Sequence, residues 1–289
     1  MDIESKKFLG QPKNFVSIFN ALLFDGQPVL KPEYLKDENS ELVMNVSSKH
    51  VDIIKRYEDG TYLDLFVIES QSYVDPSMVA RVMEYESVAR MRYIRQNFKK
   101  HVPMHTRLPM ILTVVLYVGE SKWNAAKRLS ELEIIHPGFE DMFNEFKLNL
   151  IELNTNHKYN TGEKATQDFF DLLRMIYRKQ ILKEDLDREF NRDALYFAYV
   201  VTKNKELLNI YQESEKGDVK VCRALDEMFE ESTNKGIQMG IKQGIERGVK
   251  NTQIKIAIKM LVRNNQTLEE ISEIVGLDLD ALRELKKSI

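Results

Sequence analysis

The order of sequence patterns predicts an α/β core of about 160 residues followed by a helical C-terminal half. Asp59-Gly60 lies between two β-prone runs, which indicates a hairpin. A near-continuous apolar and β-prone run over residues 108–119 indicates a central strand buried on both faces. Helical periodicity dominates from about residue 165 onward, so the sheet is expected to end before that point.

The composition is that of an ordinary globular protein. The 289 residues are 43% hydrophobic and 30% charged, which supplies enough apolar side chains for a substantial core. The net charge of −3 means that binding to nucleic acid would need a local basic patch. The single cysteine, Cys222, excludes a disulfide framework and a cysteine-based zinc site. We expect a cytoplasmic protein with no membrane partner, because neither a signal peptide nor a long apolar run is present.

The individual elements follow from periodicity and from turn and cap residues. Residues 14–24 have the apolar spacing of an amphipathic helix, and 51–57 and 61–68 are β-prone. Asp75-Pro76 is typical of an N-cap followed by proline at the first helical position. The expected later elements are a helix to about residue 98, the strand within 108–119, a helix over 122–133 around Trp123, and a strand over 146–153.

The C-terminal third contains two unusual helical patterns. Glycines recur every four residues, each followed by Ile or Val, at positions 236, 240, 244 and 248. This pattern indicates a helix that packs closely on another backbone, in self-association or between domains, with a passive spacer as the alternative. Residues 267–286 resemble a helix–turn–helix, but Asp278 and Asp280 favour a packing or dimerisation module over DNA reading. The predicted segments are 1–160, 161–232, 233–262 and 263–289.

The hairpin places acidic side chains on one face of the predicted sheet. With Asp59-Gly60 as a two-residue turn, Asp52 pairs with Val67 and shares its face with Glu69 and Gln71. The carboxylates of Asp52 and Glu69 are then diagonal neighbours that can converge on one divalent cation such as Mg²⁺. The alternative is that both acids are solvated on an exposed sheet face, and a three-residue loop would move Asp52 to the opposite face.

A set of linked motifs resembles a known family. These motifs are Asp52, then Glu69, Gln71 and Ser72, then Asp75, Met78, Arg81 and Tyr85, then Leu108, Pro109, Tyr117, Gly119 and Trp123. Together they resemble the recombination-promoting nuclease / putative transposase family, a branch of the PD-(D/E)XK nuclease superfamily. The resemblance covers residues 14–153 and implies a restriction-endonuclease-like mixed sheet flanked by helices, followed by an all-helical C-terminal region.

The resemblance also implies roles for individual residues. Asp52 and Glu69 would be ligands of a catalytic Mg²⁺ or another divalent cation. Gln71 would take the position of the usual lysine without its positive charge, which leaves more neutralisation to the metal or to Arg81. Asn20 is a possible accessory residue, since the superfamily often places a further acid on its first helix. Ser72 of the motif is another possible accessory residue.

Other polar residues around the predicted helix over 75–98 could serve the same site. Arg81 and Tyr85 lie one turn apart and could face the site, or could simply pack the helix on the sheet. Basic residues with interleaved aromatics follow, namely Arg90, Arg92, Arg95, Lys99 and Lys100. They could track a DNA backbone, or could form a solvated helix end whose cations suit the helix dipole.

The favoured function is a Mg²⁺-dependent endodeoxyribonuclease of low sequence specificity, linked to recombination or mobile elements. Its expected partners are double-stranded DNA and further copies of the chain, joined through the C-terminal helices. One alternative is a catalytically decayed nuclease fold that acts as a DNA-binding or regulatory protein. Another is a purely structural oligomerisation protein.

Overall fold

The computed structural model describes residues 3–38, 53–60, 63–214 and 217–288. It divides into two compact units, the first ending at Asp226 and the second beginning at Glu227. The finer segment boundaries expected from the sequence stay predictions. In the described part of the chain, no helix is long and apolar enough to cross a membrane.

A five-stranded mixed sheet forms the centre of the first unit. Its strands are β1 (Leu35–Asp37), β2 (Ile53–Glu58), β3 (Leu63–Gln71), β4 (Ile111–Tyr117) and β5 (Asn149–Glu152), and their spatial order follows the chain. The pairs β1–β2 and β2–β3 are antiparallel, whereas β3–β4 and β4–β5 are parallel. Strand β4 lies between β3 and β5 and is buried along nearly its whole length, which confirms the predicted central strand.

Helices cover both faces of this sheet, as the predicted α/β class requires. Phe19 and Phe66 bring one helix onto the first face, with ring centroids 4.8 Å apart. Val82 packs with Val115 and Tyr117 on the opposite face. In chain order, the helices of the described residues are α1 (Ile3–Leu9), α2 (Pro12–Phe24), α3 (Met78–Asn97), α4 (Lys164–Arg178), α5 (Arg192–Thr202), α6 (Lys205–Glu213), α7 (Cys222–Arg263), α8 (Leu268–Val275) and α9 (Leu279–Ser288), of which α8 and α9 belong to the second unit.

The hairpin between β2 and β3 has a different register from the predicted one. Glu58 pairs with Leu63, whereas a two-residue turn at Asp59-Gly60 would pair it with Thr61. The partner of Val67 is Ile54, so the predicted pairing of Val67 with Asp52 is wrong. A shift of two residues keeps every side chain on its original face, and the apolar alternation therefore could not distinguish the two registers.

Strand β3 also extends further than the sequence indicated. It continues through Glu69 and Gln71, which pair with Val115 and Tyr117 of β4. The polar residues are therefore part of the sheet and do not follow its end. The helix after them, α3, begins at Met78, slightly later than the predicted cap at Asp75.

The predicted helix over residues 122–133 is wrong. Its backbone is instead held against the segment before β5, since Leu129 N donates to Phe146 O at 2.9 Å and Leu148 N donates to Lys127 O at 2.9 Å. Trp123 is buried and meets the Tyr117 ring edge-on at 5.1 Å between centroids. Tertiary packing of this aromatic pair thus overrides a helical pattern, while the expectation that both rings belong to the core is confirmed.

The C-terminal region is mostly but not entirely helical. A two-stranded sheet of β6 (Glu189–Phe190) and β7 (Val219–Lys220) interrupts it, which corrects the prediction of an all-helical region. Two buried acids of α4, Asp168 and Asp171, are bridged by Arg188 at 2.7 and 2.9 Å. Because each acid is also paired with a second cation, Lys164 or Arg174, their buried charge is compensated.

The second unit has a small core of its own. Ala257 and Leu261 of α7 pack with Ile271, Val275 and Leu282 of α8 and α9. The predicted capping box is present, because Thr267 accepts from Glu270 N and the Glu270 side chain accepts from Thr267 N. Gly276 ends α8 with φ of 70°, a conformation that favours glycine. The helix–turn–helix pattern is therefore confirmed.

Gly119 is required by a close approach of two chain segments next to β3. A Cβ atom at this position would lie 2.5 Å from the Tyr117 hydroxyl oxygen and 2.6 Å from the Ser72 carbonyl oxygen. We expect Gly119→Ala to lower the free energy of unfolding by about 1–3 kcal/mol because the packed segment must shift. Urea unfolding followed by circular dichroism measures the change. The control Ser121→Ala, at an exposed position, should leave the midpoint unchanged, and equal midpoints for the two variants would contradict the expectation.

Candidate functional site

Strand β3 carries two polar side chains under the first turns of α3. Residues of β3 alternate between the two faces, so Glu69 and Gln71 lie on the same face. Their partners in the parallel register, Val115 and Tyr117, pack directly against α3. Glu69 and Gln71 are 4% and 5% exposed, so both are removed from solvent at the carboxyl end of the strand.

Arg81 on the second turn of α3 holds the site together. Its Nη2 donates to Glu69 Oε1 at 3.0 Å, and its Nη1 donates to Asp75 Oδ2 at 2.5 Å. Its Nε and Nη2 also donate to the Tyr85 hydroxyl oxygen at 3.1 and 2.9 Å. We call these four residues, Glu69, Asp75, Arg81 and Tyr85, the arginine clamp. The predicted accessory residues Arg81 and Tyr85 therefore lie together with Glu69.

The electrostatics of the arginine clamp favour the ionised forms of its acid and base. Burial alone would raise the pKa of Asp75, but hydrogen bonds from Ser77 and Arg81 bring it below the usual range. Burial alone would lower the pKa of Arg81, but its bonds to Tyr85 and Asp75 and the charge of Glu69 raise it. The pKa of Tyr85 is raised by burial, with the Glu69 charge acting in the same direction. The clamp thus contains a fixed cation between anions.

Gln71 has an amide group that is not satisfied locally. Its Nε2 atom is buried and has no hydrogen-bond acceptor within the described part of the chain. A buried donor without an acceptor costs about 1–3 kcal/mol. The arrangement therefore suits a ligand that brings oxygen atoms to this position, such as water or a phosphate group.

The fit of this site to a divalent cation rests on the buried carboxylate of Glu69. Carboxylate oxygens are ligands that Mg²⁺ prefers, whereas the Nε2 group of Gln71 is a hydrogen-bond donor and does not bind a cation. Among residues 3–38, 53–60, 63–214 and 217–288, no group of three or more metal-ligating His, Cys, Asp or Glu side chains occurs. The other predicted ligand, Asp52, lies outside the described residues. The carboxylate of Glu69 is the kind of ligand that Mg²⁺ takes, and the binding of Mg²⁺ with its complete ligand set stays a prediction.

The two remaining accessory candidates have different surroundings. Asn20 on α2 is buried, and its amide group donates to Leu30 O and accepts from Leu30 N, both at 2.9 Å. These bonds fix the loop after α2 and occupy both ends of the amide. Ser72 directly follows Gln71 and is exposed. A part for either residue in the site stays a prediction.

The predicted DNA-contacting cations lie toward the other end of α3. Arg90 donates to Glu86 Oε2 at 2.8 Å, and Glu86 in turn accepts from Thr113 N at 3.0 Å, which ties the helix to β4. The other cations, Arg92, Arg95, Lys99 and Lys100, lie in the last turns of α3 and just after it. At a rise of about 1.5 Å per residue, Arg95 is about 21 Å along the helix from Arg81.

Sequence reasoning missed two acidic residues near the site. Asp75 was predicted as an N-cap and as part of the family motif but was given no part in the site. Its side chain accepts from Ser77 N at 2.9 Å and also binds Arg81. The six-residue separation of Asp75 and Arg81 could have suggested this pair only if the helix start were known. Glu152 ends β5 opposite Tyr117, which itself pairs with Gln71, and it binds Lys127. Glu152 lies in one row with Gln71 and Tyr117 only because β3, β4 and β5 are neighbours in the sheet, and the sequence does not give this strand order.

The lowered pKa of Asp75 predicts a pH-dependent contribution to stability. We expect Asp75→Asn to lower the free energy of unfolding by about 1–3 kcal/mol at neutral pH, because a charge-assisted bond to Arg81 is lost. Because the pKa of Asp75 is lower in the folded protein, its carboxylate stabilises the fold at pH values above its ordinary pKa of 3.8. This stabilisation is lost as the pH falls through the pKa of the folded state. The difference between the two proteins should therefore shrink below about pH 4.

Urea unfolding over a series of pH values measures this difference. The control Asp141→Asn changes an exposed acid and should follow the wild type at every pH. A difference between wild type and Asp75→Asn that stays constant into acid would mean that the ionised carboxylate is not responsible.

Comparison with known proteins provides the family. Searches of curated proteins and of solved structures found no match to the chain. A family model described as "Putative transposase, YhgA-like" matches residues 33–207, which is more than half of the 289 residues. The matched segment contains the whole arginine clamp and Gln71. The chain therefore belongs to the YhgA-like putative transposase family.

Proposed function

We propose that the protein is a Mg²⁺-dependent endodeoxyribonuclease that acts on the DNA of mobile elements or in recombination. One observation carries the proposal: a buried acid and an unsatisfied buried amide lie side by side at the end of β3, within a chain of a transposase-like family. The family supports the link to mobile elements. The PD-(D/E)XK relationship, implied by resemblance, would add the cleavage chemistry.

The proposed chemistry assigns a separate part to each residue. Glu69 and Asp52 would hold the cation, which when bound neutralises the phosphate and lowers the pKa of a water molecule. The Nε2 donor of Gln71 would bind an oxygen of the phosphate or of the water and orient it. Burial of the site excludes bulk solvent and strengthens each of these interactions. Since Gln71 carries no charge, the positive charge beside Glu69 comes from Arg81 in this scheme, with Nη2 at 3.0 Å from Glu69 Oε1.

Double-stranded DNA is the proposed substrate. The basic end of α3 would contact its phosphates, through Arg90, Arg92, Arg95, Lys99 and Lys100. The distance of about 21 Å from Arg81 to Arg95 equals about six base pairs of duplex. A duplex bound at both places would therefore run along α3. Contacts to phosphates alone carry no sequence information, which is consistent with the low sequence specificity proposed.

One observation favours the alternative of a decayed nuclease that only binds or regulates DNA. The carboxylate of Glu69 is already paired with Arg81, so its charge is compensated without a metal. A site of that kind is stable as a purely structural ion pair. The alternative predicts retention of DNA without cleavage, and the same assay separates the two functions.

Cleavage of supercoiled plasmid by the full-length chain in Mg²⁺ tests the proposal. We expect nicked and linear products that EDTA abolishes, and a loss of at least about 100-fold in rate for Glu69→Gln or Asp52→Ala, since each removes charge from the site. The control Glu84→Gln neutralises an exposed acid of α3 and should cut like the wild type.

Each outcome of this assay has a definite meaning. Equal cutting by the wild type and both site variants would refute the assignment of Asp52 and Glu69. If the wild type retains DNA but never cuts it with Mg²⁺ or Mn²⁺, the DNA-binding alternative is correct. If the wild type neither cuts nor retains DNA at low salt, both DNA functions fail and a structural oligomerisation protein remains.

We also infer that copies of the chain associate through α7. The four β-branched side chains that directly follow the repeated glycines of this helix are more than half exposed: Ile237, Ile241, Ile245 and Val249. The glycines before them have open space within 4 Å of a hypothetical Cβ, as far as the described residues extend. Interior glycines cost about 1 kcal/mol each, and close contact with another helix would offset that cost. A second copy supplies a matching stripe.

The spacing of this stripe also constrains how two copies would cross. Residues four apart advance about 40° beyond a full turn, so the stripe winds around the helix over its length of about 18 Å. Ridges of this type interlock at a crossing angle near −50°, not along a long parallel seam. The proposed contact is therefore short and crossed, centred near Gly240 and Gly244.

Light scattering after size-exclusion chromatography tests this association. We expect the double variant Ile241→Lys, Ile245→Lys to run as a monomer, because charge enters the apolar stripe, while the wild type is an oligomer. The control Gln243→Lys adds charge at an exposed position outside the stripe and should stay oligomeric. A wild type that is monomeric at high micromolar concentration would refute the proposal.

A further inference from the structure

The guanidinium of Arg81 donates hydrogen bonds to three residues. Three of its hydrogen bonds go to Asp75 and Tyr85, and one goes to Glu69. All three partners are buried, and the Arg81 side chain is 14% exposed. Loss of the single bond to Glu69 would therefore leave Arg81 held in place by the other two residues.

In the proposed function, the Arg81 guanidinium and the divalent cation would both bind the carboxylate of Glu69. The same carboxylate that Arg81 binds is the proposed ligand of the divalent cation. A guanidinium and a cation on one carboxylate repel each other, and the repulsion is strong where solvent is excluded. Binding of a cation at Glu69 is thus opposed by the contact between Arg81 and Glu69 at 3.0 Å.

Release from Glu69 would expose a donor directed into the site. Arg81 Nη2 would keep its bond to Tyr85 and gain a free N–H group. Guanidinium groups suit phosphate oxygens in charge and geometry. Gln71 Nε2, on the same face of β3 as Glu69, is a further donor without an acceptor in the described chain. Two donors would then be available to one phosphate group.

We propose that Arg81 exchanges partners: its guanidinium binds Glu69 when no divalent cation is bound, and it binds a phosphate of the nucleic acid when a cation takes its place on Glu69. This inference rests on the proposed function, because it requires Glu69 to bind the cation. It adds that binding of the cation and of the phosphate are coupled through one side chain. The coupling limits anion binding by the cation-free protein, in which Arg81 is already neutralised.

Calorimetric titration of the full-length chain with Ca²⁺ in the absence of DNA tests the competition. We expect Arg81→Gln to bind Ca²⁺ about ten-fold or more tightly than the wild type, because one charge-assisted bond no longer has to be broken. A merely structural arginine predicts the opposite, since its loss would disorder Glu69 and weaken binding.

The chain contains a closely matched control. Arg174 of α4 binds a buried acid, Asp171, at 2.7 Å, much as Arg81 binds Glu69, and it belongs neither to the arginine clamp nor to the basic end of α3. Arg174→Gln should leave the dissociation constant for Ca²⁺ unchanged. Circular dichroism checks that each variant is folded. If Arg81→Gln does not fold, Arg81→Lys serves instead, since lysine cannot span Glu69 and Asp75 with one planar fork.

The phosphate half of the exchange is measured with inorganic phosphate. Wild-type protein saturated with Ca²⁺ should bind phosphate at least about ten-fold more tightly than the Ca²⁺-free protein, and Arg81→Gln should lose this gain. Equal phosphate binding with and without Ca²⁺ would refute the exchange.

The variant Glu69→Gln separates failure of the inference from failure of the proposed function. If Glu69→Gln loses Ca²⁺ binding but Arg81→Gln binds no more tightly than the wild type, Arg81 does not compete and only the exchange is wrong. If Glu69→Gln binds Ca²⁺ like the wild type, Glu69 is not a ligand. The metal assignment and the exchange then fail together.

Discussion

The buried carboxylate of Glu69 is the constraint on which the rest of the site depends. An ionised carboxylate at 4% exposure needs a counter-charge within hydrogen-bond distance, and Arg81 supplies it at 3.0 Å. Removal of one partner from a buried ion pair costs about 3–5 kcal/mol because the other charge is left uncompensated. The position of α3 on the sheet is therefore fixed by charge as well as by apolar packing.

The turn before α3 is linked to this ion pair through Asp75. Asp75 accepts from Ser77 N at 2.9 Å and so organises the turn that precedes the helix. Its other oxygen binds Arg81, so the turn and the first part of the helix are tied to each other and, through Glu69, to β3. On the far side of the strand end, Gly119 allows the backbone of Ser72 to pass close by. The polar groups at the end of β3 are thus held from two directions.

Whether the sequence predicts a structural feature depends on how far apart along the chain the interacting residues lie. The amphipathic helix α2, the central strand β4 and the capping box at Thr267 are local patterns, and all three are present. The register of β2 against β3 was not predictable, because alternation fixes the face of a strand but does not detect a register shift of two residues. The irregular segment around Trp123 depends on contacts with residues 146–148, which no local pattern records.

The candidate site shows the same division. Glu69 and Gln71 stood out because polar residues followed an apolar run, and they do share a buried face with Arg81 and Tyr85 close to Glu69. The partnership of Asp75 with Arg81 was hidden, because it depends on how the turn before α3 is folded. Asn20 was chosen as a polar residue on an apolar helix, but its amide instead binds the backbone of Leu30. A polar residue in an apolar run therefore indicates burial reliably, whereas its partner must come from the fold.

The direction of α3 connects the chemistry of the site to the shape of the substrate. Strands β3 and β4 are parallel, so the chain must return along α3 from the carboxyl end of β3 to the amino end of β4. The arginine clamp therefore lies at one end of the sheet and the basic turns of α3 at the other, about 21 Å apart. A single mononucleotide could not reach both, whereas a duplex of about six or more base pairs could. In the proposed function, a ligand that contacts both groups of cations must therefore be a polymeric nucleic acid and not a small phosphate ester.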